Sequence, residues 1–430
     1  MPKQLDSAAV CLLVVLALLG PAQSGAQEPP VSAEARAVFE RSRAQLVQLR
    51  VVHRATRAET MTGSGFVAAA DGAVVTNYHV VSKIALEPDA YELELVWSDG
   101  SKAAGELRAI DVANDLGIVA SGRAAPSFLA LRTAPLAKGD RGFAMGHPLD
   151  LGLTIVEGTY NGIVEHDPQG WIHFSGAINA GMSGGPALAR DGKVFGVNVA
   201  HRRDGQLVSF LVPVRHAARL LESVRAGGAT PADFRKEVAA QLVAHQAAFA
   251  ERLLAAPFPV SRFGPYGVPD APDAFTRCAG GTPVDPNRLY EVDSKACGYD
   301  RSVYVDDTLH TGGMRFNHRV YRHGSLGPVR FASLLEHQFE QLRSESAGSA
   351  RHFTAFQCHD GFVAAAGGAG TLRVALCTRA YRLFPGLYDF RLRLVAVDSS
   401  EHALVSVAAV SGVSFDNGMR FARRFLEAIR

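Results

Sequence analysis

This chain of 430 residues has no long basic run, no Cys-x-x-Cys pair and, beyond its first twenty residues, no long apolar stretch. Lysine and arginine number 44 against 42 acidic residues, a net charge of +2. With neither sign clustered, nucleic acid and anionic membrane are excluded as main partners. Without closely spaced cysteines a zinc site has no support, and nothing in the chain asks for a cofactor. Charged residues make up 20% and hydrophobic residues 47%, enough to bury the cores of two or three domains. The one long apolar stretch, residues 8–19, is short for a bilayer span. With Lys3 before it and Ser24-Gly25-Ala26 after it, residues 1–26 read as a signal peptide cleaved after Ala26. An uncleaved anchor is the alternative. Val10 stands before Cys11 where a lipoprotein signal wants a small residue.

Cysteine is scarce as well. Loss of the leader removes Cys11 and leaves Cys278, Cys297, Cys358 and Cys377. An even number in an exported chain points to two disulfides, and four cysteines allow three pairings. The local pairs Cys278–Cys297 and Cys358–Cys377 are favoured over the crossed ones, with free buried thiols as the alternative. Localisation is then periplasmic or secreted.

Ser32 caps a short helix at 33–44. From Gln45 to Pro213, about a dozen short β-rich runs alternate with turn clusters. With no helix-period segment between them, they imply antiparallel barrels or sandwiches rather than a βαβ domain. Residues 214–225 read as a closing helix. Thr230 and Pro231 open a second helix reaching about Ala255, with Phe234, Val238, Leu242, Phe249 and Leu253 near one face. Residues 257–272 form a proline-rich connector too irregular for an element. The remainder, 274–430, reads as an α+β domain of unknown role. Its helices lie near 329–343 and 418–429, around an antiparallel meander with turns at HDG, PG and DSSEH. SESAGSA at 344–350 is of low complexity. The division is therefore a leader at 1–26, an all-β double-barrel domain at 33–225, a helical and proline-rich linker at 230–273, and the α+β domain at 274–430.

The stretch GMSGGPAL, residues 181–188, crowds glycine around one serine. It satisfies G-x-S-x-G, but an α/β-hydrolase elbow needs a helix next, and here Pro186, a turn at Arg190-Asp191-Gly192 and another strand follow. The other chemistry that exposes a serine this way needs a histidine in reach and a carboxylate to orient it. Upstream, a hairpin turning at Asp71-Gly72 delivers His79 at the end of an apolar strand. Asp115 directly precedes the apolar run LGIVA, with Asp111 as its rival four residues earlier. The order is His79, Asp115, Ser183.

At these residues the chain resembles a known family, the trypsin-like serine proteases, and within it the bacterial high-temperature-requirement (Htr/Deg) proteases. The matching stretches are TGSGFV, VVTNYHVV, NDLGIVA, AMGHPLDLGLTIVEGTYNGIV, AINAGMSGGPAL, GKVFGVNVA and SFLVPV, in that order, within residues 34–225, about half the chain. The resemblance implies two β-barrels with Ser183 as nucleophile, His79 as general base and then acid, and Asp115 as orienting carboxylate. It implies an oxyanion hole from the amides of Gly181 and Ser183. It puts the substrate-pocket base at Ala177, beside Ile178; both are apolar, which implies a small-to-medium aliphatic preference on the acyl side. The substrate is then a polypeptide; a homo-oligomer and a partner in the cell envelope, met through the C-terminal domain, remain open. Two features depart from the family. Met182 stands where Asn or Asp is usual, which puts loop rigidity in doubt, and no PDZ carboxylate-binding loop follows Arg225. The alternative function is a protease-like binding protein with weak or no catalysis. Tyr304, Arg315, Tyr321, Arg379, Tyr381 and Arg391 could form a recognition face, or be the ordinary dressing of a solvated sheet.

Overall fold

The computed structural model describes residues 32–430 except 202–206, 284, 286, 300–301, 342–348, 367–369 and 397. The leader, and most of the SESAGSA patch, lie outside the described residues. No helix among the described residues is long and apolar enough to cross a membrane.

Helix α1 (Ala33–Ser42), capped by the Ser32 hydroxyl, leads into the first barrel. Its strands are β1 (Leu46–His53), β2 (Glu59–Val67), β3 (Ala73–Thr76), β4 (Tyr91–Trp97), β5 (Lys102–Asp111) and β6 (Leu116–Ala120), closed in the order β1-β2-β3-β6-β5-β4. The second barrel uses β7 (Arg141–Gly146), β8 (Thr154–Ile163), β9 (Ile172–Phe174), β10 (Pro186–Leu188), β11 (Val194–His201) and β12 (Ser209–Pro213), closed in the order β10-β11-β12-β9-β8-β7. One difference from the sequence reading matters for the site. Between β3 and β4 lies helix α2 (Tyr78–Leu86), so His79 sits in the first turn of a helix and not at a strand end. Val80, Val81, Ala85 and Leu86 of α2 bury against the first barrel's core, and this packing overrides their β-branched propensity.

Helix α3 (Val214–Arg225) closes the barrels by packing Val214, Ala217 and Leu221 into the core between them. Helix α4 (Phe234–Leu253), capped by Asp233, then works as a strut. Its Val238 and Leu242 join the first barrel's core, while Phe249 and Leu253 join the core of the C-terminal sheet. The proline-rich connector is not irregular. Strands β13 (Val260–Phe263) and β14 (Tyr266–Pro269) pair there as a hairpin, which tolerates proline because neither strand is central.

Beyond come β15 (Arg277–Gly281), β16 (Glu291–Gly298), the hairpin β17 (Val303–Asp306) and β18 (Leu309–Thr311), β19 (Met314–Arg322), α5 (Pro328–Gln341), β20 (Gln357–Ala364), β21 (Thr371–Ala380), β22 (Tyr388–Ala396), β23 (His402–Val413) and α6 (Phe415–Glu427). Seven of these strands form an antiparallel sheet, β15-β16-β19-β23-β22-β21-β20, with α6 on one face and α5 on the other. His359-Asp360-Gly361, read above as a turn, runs inside β20. Disulfides join Cys278 to Cys297 and Cys358 to Cys377, each pair directly opposite across neighbouring strands. The six aromatic and arginine residues do not share one solvated face, because Tyr321 and Tyr381 are buried.

Candidate active site

The first barrel brings His79 and Asp115 together. The turn Asp111–Asp115 is shaped by Asp111, whose carboxylate accepts from the Asn114 backbone N–H (3.0 Å) and side-chain amide (2.7 Å). Asp115 follows with φ +56°, a left-handed conformation that aspartate tolerates better than most residues. Its Oδ1 accepts from the His79 backbone N–H (2.8 Å) and its Oδ2 pairs with His79 Nδ1 (2.7 Å). One carboxylate thus meets an unsatisfied N–H at the start of α2 and also aims the ring. A carboxylate only accepts, so the Nδ1 proton faces Asp115 and Nε2 is left with its lone pair. Burial alone would lower the His79 pKa; the Asp115 charge and hydrogen bond, with a smaller push from Asp307, raise it above the ordinary value. Asn77 reinforces the pair by donating to the Asp115 carbonyl (2.8 Å).

The second barrel presents Ser183 on the loop between β9 and β10, and here the glycines have a use. Gly181 (φ +91°) and Gly184 (φ +85°) are left-handed, and a Cβ on either would overlap a backbone carbonyl, of His147 and Ser64 respectively. A Cβ on Gly185 would overlap the Met145 carbonyl. Three backbone segments therefore pass closer to one another than side chains allow.

Two peptide planes of this loop are held from behind. The Ala180 carbonyl accepts from the Leu149 N–H (3.0 Å). The Met182 carbonyl accepts from the Gly185 N–H (3.1 Å) and the Asn198 amide (3.3 Å). In a trans peptide the N–H points opposite to the C=O, so the Gly181 and Ser183 N–H groups face away from these anchors. Neither N–H has a hydrogen-bond partner among the described residues. Met182 itself is fully buried in the second barrel's core, beside Ile178, Phe174 and Ala187. The loop is thus backed by apolar packing at the position where the resemblance implies Asn or Asp.

The Ser183 hydroxyl donates to the Val199 carbonyl (3.1 Å) and is not bonded to His79. Ala177 is exposed, whereas Ile178 is buried in the barrel core with its N–H on Ser209 Oγ (3.3 Å).

The seam depends on residues that sequence reasoning passed over. Ser64 of β2 donates its N–H to the Ser183 carbonyl (2.7 Å) and its hydroxyl to the Gly181 carbonyl (2.7 Å). That hydroxyl also accepts from the His147 N–H (2.9 Å). Thr76 donates to the Ser64 carbonyl (2.8 Å), and Asn198 bridges the Met145 and Met182 carbonyls. The available signals were a lone hydroxyl between two glycines in GSG, and a lone amide inside the apolar run GVNVA.

Two closed barrels with an imidazole–carboxylate pair on one and a glycine-locked serine on the other define the class, a trypsin-like peptidase domain. The trypsin-like peptidase domain family matches residues 63–197. Its relatives are named as serine proteases, several of them as DegP-like or HTRA proteins. HhoB of Synechocystis sp., named as a serine protease, is 32% identical over 175 residues, 39% of this chain and 41% of that protein. A Chlamydia muridarum protein named "Probable periplasmic serine endoprotease DegP-like" is 31% identical over 184 residues, 41% of this chain and 36% of that protein. Human serine protease HTRA4 is 29% identical over 175 residues, 38% of this chain and 35% of that protein. Among solved structures, the serine endoprotease from Yersinia pestis aligns with a TM-score of 0.40 and 22% identity, over 47% of this chain and 70% of that one. Deg5 aligns with a TM-score of 0.39 and 26% identity, over 45% of this chain and 95% of that one. The chain spans about two-fifths of the length of the curated relatives it matches. Residues 63–197 are thus similar to trypsin-like peptidase domains, including those of serine proteases named DegP-like and HTRA, and the C-terminal half has no assignment.

Proposed function

We propose that this protein is an exported serine endopeptidase. Ser183 is the nucleophile, His79 the base and then acid, Asp115 the orienting carboxylate, and the amides of Gly181 and Ser183 form the oxyanion hole. The observation that carries this reading is the double hold of Asp115 on His79, at 2.8 and 2.7 Å. It fixes the tautomer that leaves Nε2 free to take a proton. Turnover begins with a rotation of the Ser183 hydroxyl from the Val199 carbonyl toward His79. The oxygen attacks the scissile carbonyl carbon while its proton passes to Nε2. The negative oxygen is met by the two amides, each donor worth about 3 kcal/mol in the transition state. His79 then protonates the leaving amine as the C–N bond breaks. Water, deprotonated by His79, attacks the acyl carbon, and His79 returns that proton to the Ser183 oxygen as its bond to the acyl group breaks.

The substrate is a polypeptide bound as an extended strand between the barrels. Exposed Ala177, with no acid beside it, supports a small-to-medium aliphatic preference on the acyl side. The two disulfides support an oxidising compartment, periplasmic or extracellular. The same reading divides the chain at 33–225, 230–273 and 274–430.

A second reading, a protease-like binder, is favoured by one observation, the Ser183 hydroxyl resting on Val199. A fluorophosphonate probe separates the two. Labelling of the folded wild type that disappears in Ser183→Ala is expected for the enzyme; a folded wild type that takes no label would leave the binder.

A further inference from the structure

The C-terminal half reaches the acid–base pair directly. The β17–β18 hairpin lies against α2 rather than in the seven-stranded sheet. Its Tyr304 ring meets the His79 ring edge to face, with centroids 5.8 Å apart and planes at 67°. The same ring contacts Tyr78 at 6.3 Å and His310 at 5.3 Å. Its hydroxyl donates to Asp307 Oδ1 (2.8 Å), and Asp307 Oδ2 lies 3.4 Å from Lys83 on α2. Beneath it, the Tyr78 hydroxyl is buried and donates to the Val305 carbonyl (3.0 Å).

Helix α4 grips the other member of the pair. Gln241 accepts from the Val112 N–H (2.8 Å) and donates to the Ile110 carbonyl (2.8 Å), on the turn that ends at Asp115. Arg235 donates to the Leu86 carbonyl at the end of α2. Val303, Val305 and Leu309 complete the same apolar core as Val80 and Val81, the neighbours of His79. Contacts of this kind restrict a ring that would otherwise sample several rotamers.

We propose that the β17–β18 hairpin is part of the active site, with Tyr304 a positioning residue that holds the His79 ring against Asp115. This rests on the protease reading above. The second half of the chain is then a component of the catalytic machinery, and not a module tethered to it. The charged and titratable groups around His79 are Asp115 on its turn, Tyr78 and Lys83 on α2, and Tyr304, Asp306, Asp307 and His310 on the hairpin. Two changes on the hairpin should therefore act in opposite directions. Loss of the Tyr304 ring lets water reach His79 and relieves its desolvation, which raises its pKa. Loss of the Asp307 charge removes an attraction for the imidazolium and frees Lys83 to repel it, which lowers the pKa.

The test uses the full chain. Tyr304→Ala, Tyr304→Phe and Asp307→Asn are each followed by the pH profile of fluorophosphonate labelling at Ser183. The His79 ring is titrated alongside by proton NMR, its resonance assigned against His79→Gln. Tyr304→Ala should slow labelling by about tenfold to a hundredfold, the cost of a misplaced catalytic group, and move the His79 midpoint up. Asp307→Asn should move the midpoint down, opposite to Tyr304→Ala. Tyr304→Phe keeps the ring against His79 and should label faster than Tyr304→Ala. Folded variants with wild-type rates and one common midpoint would overturn the proposal. A wild type that takes no label, yet whose His79 midpoint shifts in opposite directions in these variants, would sink the protease reading and leave the hairpin's hold on His79 standing.

Discussion

Each six-stranded barrel of the first half pairs every strand on both sides, whereas the seven-stranded sheet of the second half leaves β15 and β20 with one neighbour each. Both of these outer strands are exposed along their whole length. An unpaired edge invites pairing with other chains, and closure removes the problem while an open sheet must manage it. Here the management is covalent: Cys278–Cys297 ties β15 to β16 and Cys358–Cys377 ties β20 to β21. The described residues of the barrels contain no cysteine. The two halves thus stabilise β-structure by different means, hydrogen-bond closure in one and staples in the other.

Removing the staples should give the largest effect. Each closes a loop between cysteines 19 residues apart, worth about 3 kcal/mol on the chain-entropy account. Replacement of all four cysteines by alanine should lower the denaturation midpoint accordingly and open β15 and β20 to hydrogen exchange, with the barrel strands protected as before. Unchanged exchange at both edges would break the contrast.

Acid should act next, and again on the sheet. His318 is fully buried between Ser406 and the Pro269 carbonyl, and burial holds its pKa down to about 4. The unfolded chain takes up that proton near pH 6.5. Stability is therefore intact above pH 6.5 and declines as pH falls toward 4, by roughly 3 kcal/mol in all. A melt at pH 4.5 should show the loss, and His318→Asn should flatten the pH dependence. A variant that keeps the full slope would place the acid sensitivity elsewhere.

The last effect is the most local. Gly185→Ala leaves φ unstrained but sets a methyl group into the Met145 backbone carbonyl, so the serine loop or the strand behind it must shift. Labelling of Ser183 should fall by about a hundredfold, comparable to losing an oxyanion donor, with some loss of melting temperature as well. Wild-type labelling would show the loop to be softer than its packing implies.

What the sequence revealed follows from how local each feature is. GMSGGPAL, NYHVV and NDLGIVA are legible because close backbone approach and an imidazole–carboxylate pair demand particular residue types at particular positions. Ser32 and the run from Val214 to Arg225 announce their helices through a cap and a helical period. Helix α2 was hidden, since NYHVVSKIAL continues a β-branched strand and only burial against the barrel core turns it helical. Hairpin β13–β14 was hidden by its prolines, which mark loops in any central strand. The contact of Tyr304 with His79 joins residues 225 positions apart (304 − 79), and no local pattern encodes a meeting at that distance.

Ser64 stands on the first barrel and holds two carbonyls of the second, those of Gly181 and Ser183. A slide or tilt of one barrel against the other would pull on the Ser183 loop through these bonds. Any ligand or neighbouring subunit that twisted the pair would have a mechanical linkage to the Ser183 loop already in place.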